Sequence, residues 1–469
     1  MIASRPGLVL LVATAISLLI SGCTTPPIDS IAHELASCRL AEADADYEAA
    51  SRYWIAGAAG DAPWVVGYAA QDRIDRMSAP DGTAGAARLP SAAMASVRAR
   101  HDVARLGALG PRTELVRASG PGFDPLVLLA DPEVRYVHPD VQLVRLAVPS
   151  DPYLRDQWHL TDFGLPTAWT IETGSAEVTI AVIDAGFDVD HPDLQDAFDP
   201  GWDFANGDDD LSTTDPHGTH VASIAGGRAG GGKIVGVAPT GVRLLPLKVA
   251  DENGSIDTSS VVNAIYFALG IDDPDVAAVP PSDPARVISI SLGTDAPAAE
   301  PIPAIEDAIR AARAAGSLTF AATGNANGAA TGAGISAPAN GPCAIAVGSV
   351  DQDMDRSAFS NYGRNDRLVD LSAPGGYSAI DDGILSALPS NVFPTEPYGY
   401  LVGTSMATPY VAGVAALLFS HDSTLSAPDV YARLLTTALR PDPDAMYEIG
   451  FGVACADAAL GSDRRCGRP

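Results

Sequence analysis

Val178-Thr179-Ile180-Ala181-Val182-Ile183 is a nearly continuous apolar run closed by an acid, Asp184. A run that short, without polar alternation, reads as a strand buried on both faces, the setting of a central strand in a parallel sheet. The chain around it repeats the theme. Strand-like runs at 242–249, 287–292, 318–322 and 343–350 alternate with helical patterns at 217–226, 259–269 and 302–315. Residues 148–469 are therefore expected to form an α/β domain, a parallel sheet flanked by helices on both faces. Ligands of such sheets bind beyond the carboxyl ends of the strands, which is where Asp184 emerges. A carboxylate placed there needs a partner.

His217 opens His217-Gly218-Thr219-His220-Val221-Ala222-Ser223-Ile224-Ala225-Gly226, whose small residues suit a helix packed closely on the sheet. Ser405 lies in Gly403-Thr404-Ser405-Met406-Ala407-Thr408-Pro409, immediately before the apolar helical pattern Tyr410 to Leu418. Helix N-termini favour developing negative charge. A serine hydroxyl is a poor nucleophile at neutral pH and needs a base, and that base needs a carboxylate to hold one tautomer. Asp184, His217 and Ser405 supply that set. Thr323-Gly324-Asn325 adds a side-chain amide for an oxyanion, a donor whose loss typically costs about a hundredfold or more in turnover.

These four segments, with their catalytic order Asp, His, Ser, resemble the signature blocks of the subtilisin family, and the resemblance runs from about residue 151 to 460. It implies a subtilisin-like fold and a secreted serine endopeptidase that works through an acyl-serine intermediate. Ser405 would be the nucleophile, His217 the base, Asp184 its orienter and Asn325 the oxyanion donor. No cofactor is required for that chemistry. Val287 to Gly293 corresponds to the family's edge for substrate backbone pairing, so Ser291, Leu292 and Gly293, with Thr323, Gly324 and Ser336, are the candidate substrate-binding residues. None is charged, and broad, apolar-leaning cleavage of protein or peptide substrates is expected. The rival reading is a catalytically silent lipoprotein that binds peptides in the cleft, and a third keeps the hydrolase but dedicates it to ligation or to maturing one partner. Ala185 departs from the family, which usually has Thr or Ser after the catalytic Asp, so one supporting hydrogen bond is expected to be missing. His217 and His220 have metal-pair spacing but no third ligand follows, and His220 and His191 read as structural.

Upstream, Trp64 to Tyr68 reads as a strand, Ala92 to Leu106 as a helix, Leu126 to Ala130 as a helix end and Val134 to Val144 as a last strand. This small α+β unit, residues 62–147, resembles the family's inhibitory propeptide. The resemblance implies a folding chaperone and intramolecular inhibitor whose last residues, Val141 to Ala147, lie in the cleft and are cut autocatalytically, giving a mature start between Ala147 and Asp151. A permanently attached N-terminal domain is the alternative. Residues 1–22 read as a signal peptide, with Arg5 before the apolar run Leu8 to Ile20, and 23–61 as a linker. Ile20-Ser21-Gly22-Cys23 resembles the bacterial lipoprotein box, with Cys23 the lipidated residue; an ordinary signal cut near Ala13 or Gly22 is the other reading. Export follows from both, as an outer-membrane or cell-surface lipoprotein precursor or an extracellular enzyme after maturation. A membrane anchor on Cys23 would stay with the propeptide and release the protease.

Asp151 and Asp193 match ligand positions of a structural calcium site in thermitase-like members, although the loop 227–236 lacks that site's usual Asn and Thr. A second candidate is the oxygen-rich loop of Asp203, Asn206, Asp208 and Asp210, for which a merely solvated acidic loop is the competing reading. Beyond Cys23 remain Cys38, Cys343, Cys455 and Cys466, which allow three pairings. Cys455 with Cys466 is preferred, with Cys343 read as a buried free thiol. Composition narrows the classes further. With 47% apolar and 19% charged residues the chain is globular, and 58 acidic against 29 basic residues argue against a nucleic-acid partner. A monomer is expected.

Overall fold

The computed structural model describes residues 51, 52, 55, 63–68, 91–109, 113–120, 123–140, 142–145, 157–230, 233–274, 276–294, 300–326, 334–363, 367–377, 382–440 and 446–462. The signal, the lipoprotein box with Cys23, and Asp151 lie outside them, and among the described residues no helix is long and apolar enough to cross a membrane.

The N-terminal unit is a four-stranded antiparallel sheet of β1 (Trp64–Tyr68), β2 (Val103–Ala108), β3 (Thr113–Ala118) and β4 (Val134–Pro139), in the order β2-β3-β1-β4. Helices α1 (Ser91–Arg100) and α2 (Pro125–Leu129) accompany it, and Trp64, Val66, Met94, Val97, Leu128 and Val137 fill its core. The expected helix over 92–106 stops at Arg100. Asp102 turns the chain with φ of 51°, a conformation Asp tolerates, and residues 103–108 pair with β3 instead. Every residue of β1 is buried, because Val65 and Tyr136 face away from the unit's own core and pack against the larger domain. The expected single strand 134–144 is also two elements. β4 ends at Pro139, and a separate strand β5 (Gln142–Arg145) leaves the sheet.

The larger domain is built on seven parallel strands ordered β14-β13-β12-β10-β6-β8-β7. They are β6 (Thr179–Asp184), β7 (Trp202–Asp203), β8 (Arg243–Lys248), β10 (Val287–Ile290), β12 (Leu318–Ala322), β13 (Ile345–Val350) and β14 (Leu371–Pro374). The strand alternation explains the two layers of helix. Ile180 and Val182 point into one core, shared with α3 (His217–Gly226) and, later in the chain, α6 (Thr404–His421) and α7 (Ala427–Thr437). Ala181 and Ile183 point into the other, shared with α4 (Thr258–Ala268) and α5 (Pro303–Ala314). This is the doubly covered parallel sheet that the apolar runs predict. β15 (Ile384–Ala387) and β16 (Tyr398–Leu401) form a separate hairpin.

β5 inserts between two short strands of the larger domain, β9 (Ile256–Asp257) and β11 (Leu292–Gly293), to make a three-stranded antiparallel sheet. Two helix ends are completed the same way. Neither α4 nor α5 has a side-chain cap of its own, since Asp257 and Ile302 make no such bond. Instead Asp140 accepts from Ser259 N at 3.0 Å and from Ser259 Oγ at 2.9 Å, and His138 Nε2 accepts from Ala304 N at 3.2 Å. Capping bonds of this kind contribute about 1 kcal/mol each. Arg135 adds a largely buried ion pair with Asp307 at 2.7 Å.

Candidate active site

Asp184 ends β6 and is fully buried, and α3 begins against it. The approach is close because residue 218 is glycine: a Cβ there would collide with Gly186 O and press on the Asp184 carboxylate. His217 Nδ1 donates to Asp184 Oδ1 at 2.7 Å, and Ala185 N donates to the same oxygen at 2.7 Å. His217 Nε2 and Asp184 Oδ2 are buried and have no hydrogen-bond partner among the described residues. The Nδ1–H tautomer leaves Nε2 as a proton acceptor, the arrangement a general base requires. The lone Oδ2 agrees with the hydroxyl missing at Ala185.

Ser405 is the second residue of α6, which packs against α3. The helix starts from Gly403, whose φ of 152° favours glycine. Pro409 lacks an N–H, so it leaves the carbonyl of Ser405, four residues back, without its helical donor. Ser291 Oγ fills the gap at 2.8 Å, and Ser405 Oγ returns a bond to Ser291 O at 3.2 Å. The candidate nucleophile is thereby pinned to the start of the substrate edge β11.

Asn325 follows β12. Its Oδ1 accepts from Thr404 N at 2.9 Å and Thr404 Oγ1 at 3.1 Å, which fixes the amide and leaves Nδ2 buried without an acceptor among the described residues. An unspent donor beside a helix N-terminus is what an oxyanion site needs. Thr404 also receives Gly324 N at 3.1 Å, so it organises the whole turn. Its position directly before Ser405 was a local signal for this role that the sequence reading passed over. Asn361 had no such signal. Its Nδ2 donates to Thr323 O at 3.0 Å and Ser336 Oγ at 3.3 Å, while its Oδ1 accepts from Ala326 N at 3.0 Å. Ser336 N in turn donates to Thr323 O at 2.9 Å. Thr323, Gly324 and Ser336 are thus brought together, and a Cβ on Gly324 would strike Asn361 and Ser336.

Of the two calcium expectations, the loop of Asp203, Asn206, Asp208 and Asp210 does not fit a metal ion. Asp203 Oδ2 is paired with the Lys248 ammonium at 2.8 Å, its Oδ1 accepts from Ala205 N and Asn206 N, and Lys248 Nζ also donates to Asp210 O. Asp208 and Asp210 spend an oxygen each on their own turns, accepting from Asp210 N and Ser212 N. A protein cation already occupies the buried carboxylate of the loop. At the other site Asp193 Oδ2 accepts from Lys233 N at 3.2 Å and Tyr398 OH bonds to the carboxylate, its phenol pushed up by burial and by that acid, while Asp193 Oδ1 is buried without a partner among the described residues and Asp151 lies outside them. Among the described residues no three His, Cys, Asp or Glu could hold a metal ion. His191 accepts from Asp193 N and donates to Pro397 O, a structural role. His220 donates to Ile384 O at 2.9 Å and is kept neutral by burial, down to about 3, so it does not pair with His217. Cys343 is not a free thiol: it and Cys455 are both disulfide-bonded.

Residues 175–467 match the family model Peptidase_S8, the subtilase family, and the chain belongs to that family. It is a subtilisin-like serine protease, whose chemistry needs no cofactor and whose substrates are proteins. It is similar to a thermophilic serine proteinase of Bacillus sp. strain AK1, 37% identical over 62% of this chain and 64% of the relative. Thermitase of Thermoactinomyces vulgaris is 36% identical over 62% of this chain and 91% of its own length. Among solved structures, a protease from Pseudoalteromonas arctica superposes with a TM-score of 0.56 at 31% identity, covering 66% of this chain and 98% of that one.

Proposed function

We propose that the protein is an exported serine endopeptidase, made as a precursor whose N-terminal unit inhibits it and is removed by its own active site. The observation that carries the reading is a pair of open positions, a His217 Nε2 whose ring is held by Asp184 and an Asn325 Nδ2 whose amide is held by Thr404, the residue before Ser405. In the reaction Ser405 Oγ attacks the scissile carbonyl carbon as its proton passes to His217 Nε2, and Asn325 Nδ2 donates to the oxyanion. His217⁺ then protonates the leaving amine. Water, deprotonated by the same nitrogen, hydrolyses the Ser405 ester and returns the enzyme.

The placement of β5 between β9 and β11 supports the inhibitory role, because the strand takes up the backbone groups an extended substrate would use. The caps that Asp140 and His138 provide support a chaperone role, since α4 and α5 lack their own. Export, lipidation at Cys23 and release from a propeptide that keeps the anchor complete the proposal. Fluorophosphonate labelling of the wild type beside Ser405→Ala, with intact masses of both, tests it. Labelling and processing of the wild type alone are expected; a wild type that stays whole and unlabelled favours a peptide-binding protein instead.

A further inference from the structure

The register of β5 identifies a bond and, with it, a substrate pattern. Arg145 pairs with Leu292 and Val144 with Gly293, antiparallel, while on the opposite edge Leu143 pairs with Ile256 and Gln142 with Asp257. Both edges agree on one register, so the strand cannot slip without losing both sets of pairs. In an antiparallel pair one step forward on one strand is one step back on the other. The residue of β11's segment that precedes Leu292 is Ser291, and the residue that follows Arg145 is Leu146. Ser291 is the residue whose carbonyl takes the Ser405 hydroxyl at 3.2 Å and whose hydroxyl holds Ser405 O at 2.8 Å. Leu146 and Ala147 themselves lie outside the described residues; their assignment comes from the register of the residues beside them.

We infer that the maturation bond is Leu146–Ala147 and that β5 is a template for the enzyme's preferred substrates: an extended segment with Leu before the cut and Leu-Val-Arg preceding it. The inference rests on the endopeptidase reading above. In the step itself Ser405 Oγ bonds to the carbonyl carbon of Leu146 and its proton moves to His217 Nε2. The C–N bond to Ala147 then breaks, and the amine leaves with that proton. Water hydrolyses the Leu146 ester, so one water is consumed and a Leu146 carboxylate and an Ala147 amine are formed. The chemistry of the site agrees with Leu. The turn Thr323 to Asn325, with Ser336 and Asn361 beneath it, carries no charge, and its polar atoms are largely spent on one another. A charged side chain entering there would lose hydration without gaining a partner.

The alternatives left open by the sequence are starts between Ala147 and Asp151, so the masses of both products decide. The wild-type precursor is allowed to process, and the released N-terminal fragment and the mature chain are sequenced from their new ends. A fragment ending at Leu146 with a mature chain starting at Ala147 is expected; a fragment ending elsewhere overturns the inference while leaving the protease reading intact. Sequencing the fragment's end also separates the first cut from later trimming of the mature N-terminus. A precursor that neither processes nor labels with fluorophosphonate overturns the reading on which the inference rests. As a second arm, the mature enzyme is given the peptide Gln-Leu-Val-Arg-Leu-Ala-Val-Pro and its analogue with Asp in place of the second Leu. Cleavage between Leu and Ala, with kcat/KM lowered about a hundredfold or more in the analogue, is expected. Equal rates, or a cut at another bond, count against the template.

Discussion

Asp184 and Asp203 are both fully buried carboxylates at the ends of strands in one sheet, and both stand in register with the same residue of β8, Lys248. They are served in opposite ways. Asp203 receives the Lys248 ammonium, two backbone N–H groups and Asn206 Nδ2, so both oxygens are bonded. Asp184 receives His217 and Ala185 N on one oxygen and leaves the other without a partner among the described residues. The imidazoles divide similarly. His138 has both nitrogens engaged, whereas His217 keeps one open. In these two pairs the group that holds the fold is saturated, whereas the group placed for chemistry keeps an atom without a protein partner among the described residues.

The largest effect that contrast predicts is at Asp184. Asp184→Asn preserves shape but favours the wrong imidazole tautomer, and should lower kcat by roughly 10⁴ while the protein still folds. Steady-state rates with unfolding curves check this; a variant that loses its fold instead would make Asp184 structural like Asp203. Lys248→Met inverts the pattern. It leaves a buried, uncompensated carboxylate at Asp203 and should cost about 3–5 kcal/mol of stability, with the turnover of folded molecules retained. Urea unfolding reads the first quantity and titration of active sites the second. Little loss of stability would show the pair to be replaceable and the contrast overstated.

The contrast also sorts what could be read from the sequence. Asp184, His217, Asn325 and Ser405 were legible because each is announced by its neighbours: an apolar run ending in an acid, a helix of small residues, a strand followed by Gly-Asn, a glycine turn before an apolar helix. The seven-stranded sheet was legible because strands buried on both faces leave unbroken apolar runs. Asp203 was read as a cation ligand or part of a solvated loop, because the lysine that pairs with it, Lys248, comes from another strand and leaves no local mark. Asn361 and the caps from His138 and Asp140 are tertiary contacts spanning 25 to 166 residues and leave no local mark. In the N-terminal unit Ala104, Arg105 and Leu106 are helix formers that continue the pattern of α1, yet pairing of residues 103–108 with β3 outweighs it.

His138 offers a test of saturation through pH. Its Nδ1 donates to Pro139 O at 2.7 Å, its Nε2 accepts from Ala304 N, and Tyr136 stacks on it at 6.0 Å. Burial holds the docked imidazole down to about 4 from its ordinary 6.5. The folded state therefore binds fewer protons than the unfolded one between those values, and stability present above pH 6.5 is lost as pH falls toward 4. The contribution is at most about 300-fold in the folding equilibrium, of which somewhat under about a hundredfold is lost by pH 4.5. Nearby Asp140 acts in the other sense, raised to about 7 chiefly by burial and then by Asp257, so the comparison must hold it constant. In full-length Ser405→Ala, the urea stability of the His138 parent should fall relative to the His138→Gln version between pH 7 and pH 4.5. Parallel profiles would mean that the imidazole protonates without leaving its place.

The smallest effect concerns the vacancy at Asp184 Oδ2. Ala185 is buried and its N–H already holds Oδ1, so a hydroxyl on its side chain would be offered close to the carboxylate. Ala185→Ser should add one hydrogen bond to a charged acceptor and raise stability by about 1 kcal/mol, or about 2–4 °C in Tm. The change in kcat should stay within a few-fold, because His217 is already fixed through Oδ1. A gain in Tm with an unchanged rate would assign the missing hydroxyl to stability alone. A loss of rate would show that stronger solvation of the carboxylate weakens its hold on the imidazolium, and that the vacancy itself serves the reaction. No change in either would mean that Oδ2 is already hydrogen-bonded to a water, and the contrast with Asp203 would then rest on His217 and Lys248 alone.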